Sequence, residues 1–298
     1  MIRFSREVAQ AKEKGAPLVA LESTIISHGL PRPTNLEVAL EVEELVRSHG
    51  ATPATIAIID GVTHVGLERE ELTRIAEDTS FAKASIRDLP IIATKKMSAA
   101  TTVAATSQIA HQAKIPFFAT GGLGGVHRGA HETWDESADL ISLATIPVLV
   151  VCAGAKSILD IPATLERLET LSVPIVGYRT NRFPGFYRAD SGFPLEYRAD
   201  SPSEIAEMWQ AKSEVGLRNA GMVVANPTTS EMDKELHDAL LQKGLAEVER
   251  NGISGKAVTP FLLEYFHRES KGESLRVNIE IIKSNSILAA QIAASSRR

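Results

Sequence analysis

The stretch VLVVCAGAKSILD, residues 148–160, sets the fold class. Five apolar residues pass through small ones and run straight into Lys156. A short apolar run closed by a glycine reads as a fully buried strand. Ser157 and Asp160 then stand in S-x-x-D spacing, a helix-start signal that satisfies free backbone N–H groups, and Pro162 falls in the first helical turns, where it is tolerated. Strand, turn and helix in that order form the repeating unit of an α/β protein. Lys156 lies at the hinge of the unit, facing the positive end of a helix dipole that disfavours its charge. Two readings of it stand: a side chain that snorkels to solvent, or an amine kept partly neutral so that it can attack a carbonyl carbon.

Working outward, similar apolar runs recur as PLVALEST (17–24), ATIAIID (54–60), IPFFATG (115–121), VPIVGY (173–178) and GMVVANP (221–227). Between them lie helical patterns such as LEVALEVEELVRSHG, with Gly50 as its stop, and TTVAATSQIAHQAK. The alternation predicts a three-layer α/β/α fold with a largely parallel, mixed central sheet in a single domain over 1–298. A short surface helix is expected over about 1–15, and helix alone from 260 to 298. Region 179–203, rich in Pro, Gly and aromatics, reads as a loop over a site. Ligands in such folds gather at the carboxyl ends of strands. Those ends carry Glu22, Asp60, the glycines of TGGLGG, Lys156 and Asn226.

Composition narrows the chemistry. Of 298 residues, 44% are hydrophobic and 23% charged, which suits a soluble globular chain with a sizeable core. The net charge is −5 and no basic, aromatic-studded strip appears, so a nucleic-acid polymer is not expected as a partner. A small anion needs only a few local cations. Cys152 is the single cysteine, excluding an internal disulfide and a cysteine-based zinc cage. No signal-peptide pattern and no membrane-spanning run is present, so the expected location is cytoplasmic.

The densest chemistry lies in ATGGLGGVHRGAHETWDESADL, residues 119–140. The four glycines within positions 121–125 match neither a Walker loop nor G-x-G-x-x-G. HETWD lacks the second histidine of the zincin pattern. Asp135 and Asp139, four apart, would share a helix face, and carboxylates suit a hard ion such as Mg²⁺ or Mn²⁺; a solvated acidic helix start is the other reading. FAKASIRDLP (81–90) gathers Lys83, Arg87 and Asp88, either a surface charge cluster or a grip for a phosphate monoester. Ser98, Thr101 and Thr102 stand at an expected helix start, where phosphate oxygens find donors.

Together, ALESTIISHGLPRPTNLEVA, PATIAIIDG, KASIRDLP, TTVAAT, the 118–140 stretch, VVCAGAKSILDIPATLERLE, VVANP, TPFLL and VNIEII resemble the pseudouridine-5′-phosphate glycosidases. This family is also called pseudouridylate synthase or indigoidine synthase A-like, and the match runs in order from about 17 to 293. The resemblance implies reversible, metal-dependent cleavage of the C1′–C5 carbon–carbon bond of pseudouridine 5′-phosphate to uracil and ribose 5-phosphate. It makes Lys156 the nucleophile, forming an imine with C1′ of the ring-opened sugar, and Glu22 the proton donor. Asp135 matches the metal position, usually Mn²⁺ with Mg²⁺ as the other candidate. Lys83, Val103, Ser137, Ala138 and Asp139 match substrate contacts, Lys83 being the natural phosphate partner, and Asn278 is the candidate reader of uracil's amide edge. A homotrimer and a functionally paired pseudouridine kinase are implied as well. The rival readings are a class I aldolase-like enzyme on another sugar phosphate, and a non-catalytic sugar-phosphate-binding regulator.

Overall fold

The computed structural model describes residues 2–254 and 257–296. The strands in chain order are β1 (Ile2–Phe4), β2 (Leu18–Leu21), β3 (Thr52–Ile59), β4 (Val62–Val65), β5 (Ala82–Ala84), β6 (Ala99–Thr101), β7 (Phe117–Ala119), β8 (Leu149–Cys152), β9 (Ile175–Tyr178), β10 (Arg198–Ala199) and β11 (Met222–Ala225). They join in one sheet in the order β1-β4-β3-β2-β7-β8-β11-β9-β10, with β6 pairing to β3 and β5 to β6. Among the described residues the antiparallel strand pairings are β3 with β4 and β3 with β6; every other strand pairing is parallel. The expected mixed, largely parallel sheet is what the chain forms.

Alternation along the strands sends side chains to two helix layers. On one face Leu18, Ala20, Phe118, Val150 and Cys152 pack with Val8, Ile109, Leu140 and Leu168 of the helices Arg6–Glu13, Val103–Gln112, Ala138–Thr145 and Ile161–Thr170. On the other, Val19, Leu21, Phe117, Val151 and Val224 meet Val42, Ile205 and Ala289 of the helices Thr34–Ser48, Pro202–Glu214 and Glu273–Ser295. With both faces covered, these strands need no polar positions, which is why they read as unbroken apolar runs. Cys152 is fully buried in this packing.

The expected helix over 1–15 is corrected at its start. Ile2–Phe4 form β1, parallel to β4, and the helix begins at Arg6 behind Ser5, whose hydroxyl accepts from Val8 N at 3.3 Å. The alternation Ile2-Arg3-Phe4 is a strand signal too short to stand out beside the helical pattern that follows. Asp60 stands just past the end of β3, as expected. With Gly61 it forms the two-residue turn between β3 and β4, both at positive φ, and Arg74 holds its carboxylate through two bonds of 2.8 Å. Asp-Gly at positive φ is the hairpin turn favoured by strand twist.

One feature of the sheet opens a site. β3 pairs with β2 through 52–55 and then, past the end of β2, with β6 through 57–58. Ser23 stitches the fork: its hydroxyl donates to Ile56 O at 2.7 Å and accepts from Thr101 N at 2.9 Å. The chain of β2 therefore leaves the sheet where β5 and β6 arrive. Above the carboxyl ends of β7, β8 and β11 a third apolar cluster closes the top. It joins Phe183, Phe186 and Tyr187 of the 179–203 loop with Leu262, Phe266 and Val277 of the two C-terminal helices, Val258–Glu269 and Glu273–Ser295. The loop is packed core on its inner side, as expected of a cover over a site.

Candidate active site

Between the fork and this cover lies a cavity of about 310 Å³, the size of a small-ligand pocket. Glu22, Lys83, Val103, Asp135, Ser137, Ala138, Asp139, Lys156 and Asn278 all line it. They come from six places in the chain, so only the fold brings them together.

Lys156 follows β8 in a non-helical turn, and its Nζ donates to Gly122 O at 2.8 Å. The helix begins at Ile161, later than expected. Asp160 is the cap, accepting from Ala163 N at 3.0 Å, with Pro162 in the first turn. Ser157 caps nothing; its hydroxyl is buried without a hydrogen-bond partner among the described residues. The dipole argument from the sequence therefore weakens, because a turn separates the amine from the helix start. What holds Lys156 in the cavity is the glycine loop.

That loop requires its glycines. A Cβ on Gly122 would lie 2.6 Å from Phe186 Cδ2, and one on Gly124 would lie 2.8 Å from Asp139 Oδ2. At Gly124 the Ser137 side chain lies closer still, and Asp139 ties the loop down there. It is buried, with Oδ1 accepting from Ala104 N at 3.0 Å and Oδ2 from Gly124 N at 2.8 Å. One carboxylate thereby fastens the glycine loop to the start of the helix Val103–Gln112, which Thr102 caps. Asp139 lies on the cavity wall, but both its oxygens serve the backbone.

The shared helix face expected for Asp135 and Asp139 is not formed. Ser137 caps the helix Ala138–Thr145, leaving Asp135 before it in irregular chain. A hydrogen bond from His127 N to Asp135 O, 3.0 Å, closes the intervening loop, and His127 Nδ1 lies 3.8 Å from Asp135 Oδ2. Among the described residues no group of three His, Cys, Asp or Glu forms a metal cage. A single half-exposed carboxylate at the cavity mouth fits a hard divalent ion that keeps most of its water.

Glu22 sits just past β2, and Oε1 accepts a hydrogen bond from the Thr120 hydroxyl. Burial raises its pKa above the ordinary carboxylate value; Lys156, the Thr120 hydroxyl and Lys83 pull it down, while Asp139 pushes it up. Burial wins. His28 and His127 are both held below the usual histidine value, chiefly by burial. Lys83 on β5 stands beside Ser85 and Arg87 in the cavity wall, whereas Asp88 accepts from Ser85 N at 2.8 Å and so shapes their turn. Ser98 faces away, donating to Asp60 at 3.1 Å.

Several lining residues escaped sequence reasoning. His28 lies in a single π-helical turn, Ile25–Gly29, a rare form that recurs at functional sites. Phe186, Thr259, Pro260 and Leu263 arrive from the cover. Thr120, next to the glycines, carried no distinguishing pattern of its own.

The architecture and the cavity define an α/β protein with its ligand site at the carboxyl edge of a parallel sheet. A family model described as Indigoidine synthase A like protein matches residues 7–295, and the chain belongs to that family. Among curated relatives, the pseudouridine-5′-phosphate glycosidase of Salinispora tropica is 57% identical, over 99% of this chain and 92% of that protein. That of Frankia alni is 54% identical, over 98% and 81%. Among solved structures, the prealnumycin C-glycosynthase AlnA, in complex with ribulose 5-phosphate, superposes with a TM-score of 0.91 at 34% identity, over 99% of this chain and 97% of that one. An indigoidine synthase A-like protein of Thermotoga maritima gives 0.90 at 35%, over 100% and 97%.

Proposed function

We propose that this chain reversibly cleaves the C1′–C5 bond of pseudouridine 5′-phosphate, yielding uracil and ribose 5-phosphate. The observation that carries the reading is the meeting, in one cavity, of a lysine amine, a carboxyl group with a raised pKa and a cationic corner at Lys83 and Arg87. The names of the near-full-length relatives support it, and the ribulose 5-phosphate bound to AlnA supports a pentose-phosphate site.

A carbon leaving group has no nitrogen to protonate. The Lys156 nitrogen bonds to C1′ as the C1′–O4′ bond breaks; O4′ keeps that electron pair and takes the proton the amine gives up, which opens the sugar ring. Uracil C5 then takes a proton from Glu22 and keeps the C1′–C5 electron pair, while the nitrogen lone pair makes C1′ an imine. Water hydrolyses the imine, freeing the amine and ribose 5-phosphate. Asn278, buried in the wall, offers an amide to the base. Asp135 would hold a divalent ion, Mn²⁺ or Mg²⁺, which when bound supplies positive charge to the substrate's oxygens. The direct test is incubation with pseudouridine 5′-phosphate and Mn²⁺, followed by detection of free uracil. In reverse, uracil-dependent consumption of ribose 5-phosphate separates this reading from an aldolase.

Two further outcomes are expected. Asp135→Asn should lower activity at least tenfold and raise the Mn²⁺ concentration needed for what remains. Chelation should silence the wild type reversibly, and full activity after exhaustive chelation would remove the metal from the reaction. The second concerns phosphate. Charge-assisted hydrogen bonds are worth about 1.5–3 kcal/mol, so pseudouridine lacking its phosphate should lose roughly tenfold to a hundredfold or more in kcat/KM. Lys83→Ala should narrow that gap; equal kcat/KM for nucleoside and nucleotide in the wild type would count against a phosphate grip.

A further inference from the structure

Glu22 does not stand alone. The Thr120 hydroxyl that donates to its Oε1 belongs to a fully buried residue at the carboxyl end of β7. The Thr120 carbonyl accepts from Asn285 Nδ2 at 2.7 Å, and the Gly121 carbonyl lies 3.3 Å from the same nitrogen. Asn285 Oδ1 in turn accepts from Asn226 Nδ2 at 2.9 Å, and that nitrogen also reaches Ser284 Oγ at 3.0 Å. Thr120, Asn226 and Asn285 are 0%, 6% and 1% exposed. Buried amides in such a row are retained only when satisfied, because each orphaned group costs about 1–3 kcal/mol. The row runs from the end of β11 through the last long helix, Glu273–Ser295, to the end of β7. It stops on one oxygen of one carboxyl group.

We infer that Thr120, braced by Asn285 and Asn226, is a positioning residue that places the transferable proton of Glu22 on Oε2. The inference rests on the reading of Glu22 as the proton donor. A hydroxyl has one hydrogen, and here it is committed to Oε1. A carboxyl proton on Oε1 would meet that hydrogen, so the acid form keeps its proton on Oε2, and the carboxylate left after transfer is stabilised through Oε1. The amide row fixes the Thr120 backbone and hence the direction of its hydroxyl.

The charged and titratable groups facing Glu22 are Lys156 beyond β8, Lys83 on β5 and Asp139 at the start of the helix Ala138–Thr145, with His28, His127 and Asp135 elsewhere in the cavity wall. Thr120→Val leaves all of them in place and keeps the shape of the side chain. It removes a bond that favours the carboxylate, so the alkaline limb of the kcat–pH profile, which reports the acid in the substrate complex, should move to higher pH. Below the limb kcat should fall about tenfold, the worth of one hydrogen bond, with KM for pseudouridine 5′-phosphate little changed. Thr120→Ser, which restores the hydroxyl, should return both limb and kcat toward wild type. A purely structural threonine would lower the melting temperature of Thr120→Val while leaving the limb in place. An unmoved limb with unchanged kcat, or a Thr120→Ser variant as impaired as Thr120→Val, overturns the inference. Glu22→Gln separates the two levels: wild-type activity there would overturn the proton-donor reading itself, whereas an inactive Glu22→Gln beside an unmoved Thr120→Val limb overturns only the role of Thr120.

Discussion

Lys156→Ala is expected to fold normally and to lose turnover by several orders of magnitude. Among the described residues its Nζ bonds to the Gly122 carbonyl, at the wall of an open cavity. Water replaces that donor, so stability should change by no more than about 1 kcal/mol. The reaction, in contrast, has no substitute for an amine that bonds C1′. Lys156→Arg should fail as well, since a guanidinium stays protonated and cannot form an imine. The intermediate can be trapped. Ribose 5-phosphate with borohydride should inactivate the wild type, and intact mass should rise by one reduced sugar phosphate. Peptide mapping should place the adduct on Lys156, and excess uracil or substrate should protect. If no specific adduct forms and Lys156→Arg keeps appreciable activity, the lysine acts only as a charge.

Glu22→Gln should abolish most activity and stabilise the fold. Positioned general acids contribute about 10²–10⁴-fold, so a loss in that range is expected. The stability effect follows from linkage. Burial raises the folded pKa of Glu22 above that of the unfolded chain, so the folded state holds the proton over a pH window in which the unfolded state has released it. Its contribution to stability is fully present below the unfolded value of about 4.3. It is lost as pH rises through the folded value. Glutamine carries no such dependence and can still accept from Thr120. The melting temperature of Glu22→Gln should therefore exceed that of wild type near neutral pH, and the gap should close as pH falls below the unfolded value. A gap that is absent, or that widens in acid, would mean that the carboxyl is not held in a desolvated state.

Residues differed in how openly they declared themselves. The six central strands and the helical C-terminal region were legible because burial on both faces leaves an unbroken apolar run, and a helix its own period. Strands at the margin were not: β1, β5, β6 and β10 have two or three residues each, too few for any period. Asp60 is legible as the end of the run ATIAIID, but its place in a hairpin turn depends on the antiparallel partner β4, which no local pattern announced. Within the site, Glu22 and Lys156 were found because strand ends are where a parallel sheet presents side chains. The spacing of Asp135 and Asp139 misled. Four residues apart implies one face only if a helix joins them, and here Ser137 starts the helix between them.

The sequence by itself determined the layers of this protein and the chemical types available at the strand ends, since both follow from local pattern and reach across a few residues. It also carried, through long ordered motifs, the family to which the chain belongs. Tertiary structure alone decided which polar groups speak to one another. Thr120 reaches Glu22 across 98 positions and Asn285 reaches Thr120 across 165, separations over which no periodicity survives. It likewise decided that Asp139 clamps backbone, and that β3 forks between β2 and β6 to leave room for a ligand. Hydrogen bonds are short-ranged and directional, so their partners are set by where the packed layers bring the chain, and that is settled only when the whole core has formed.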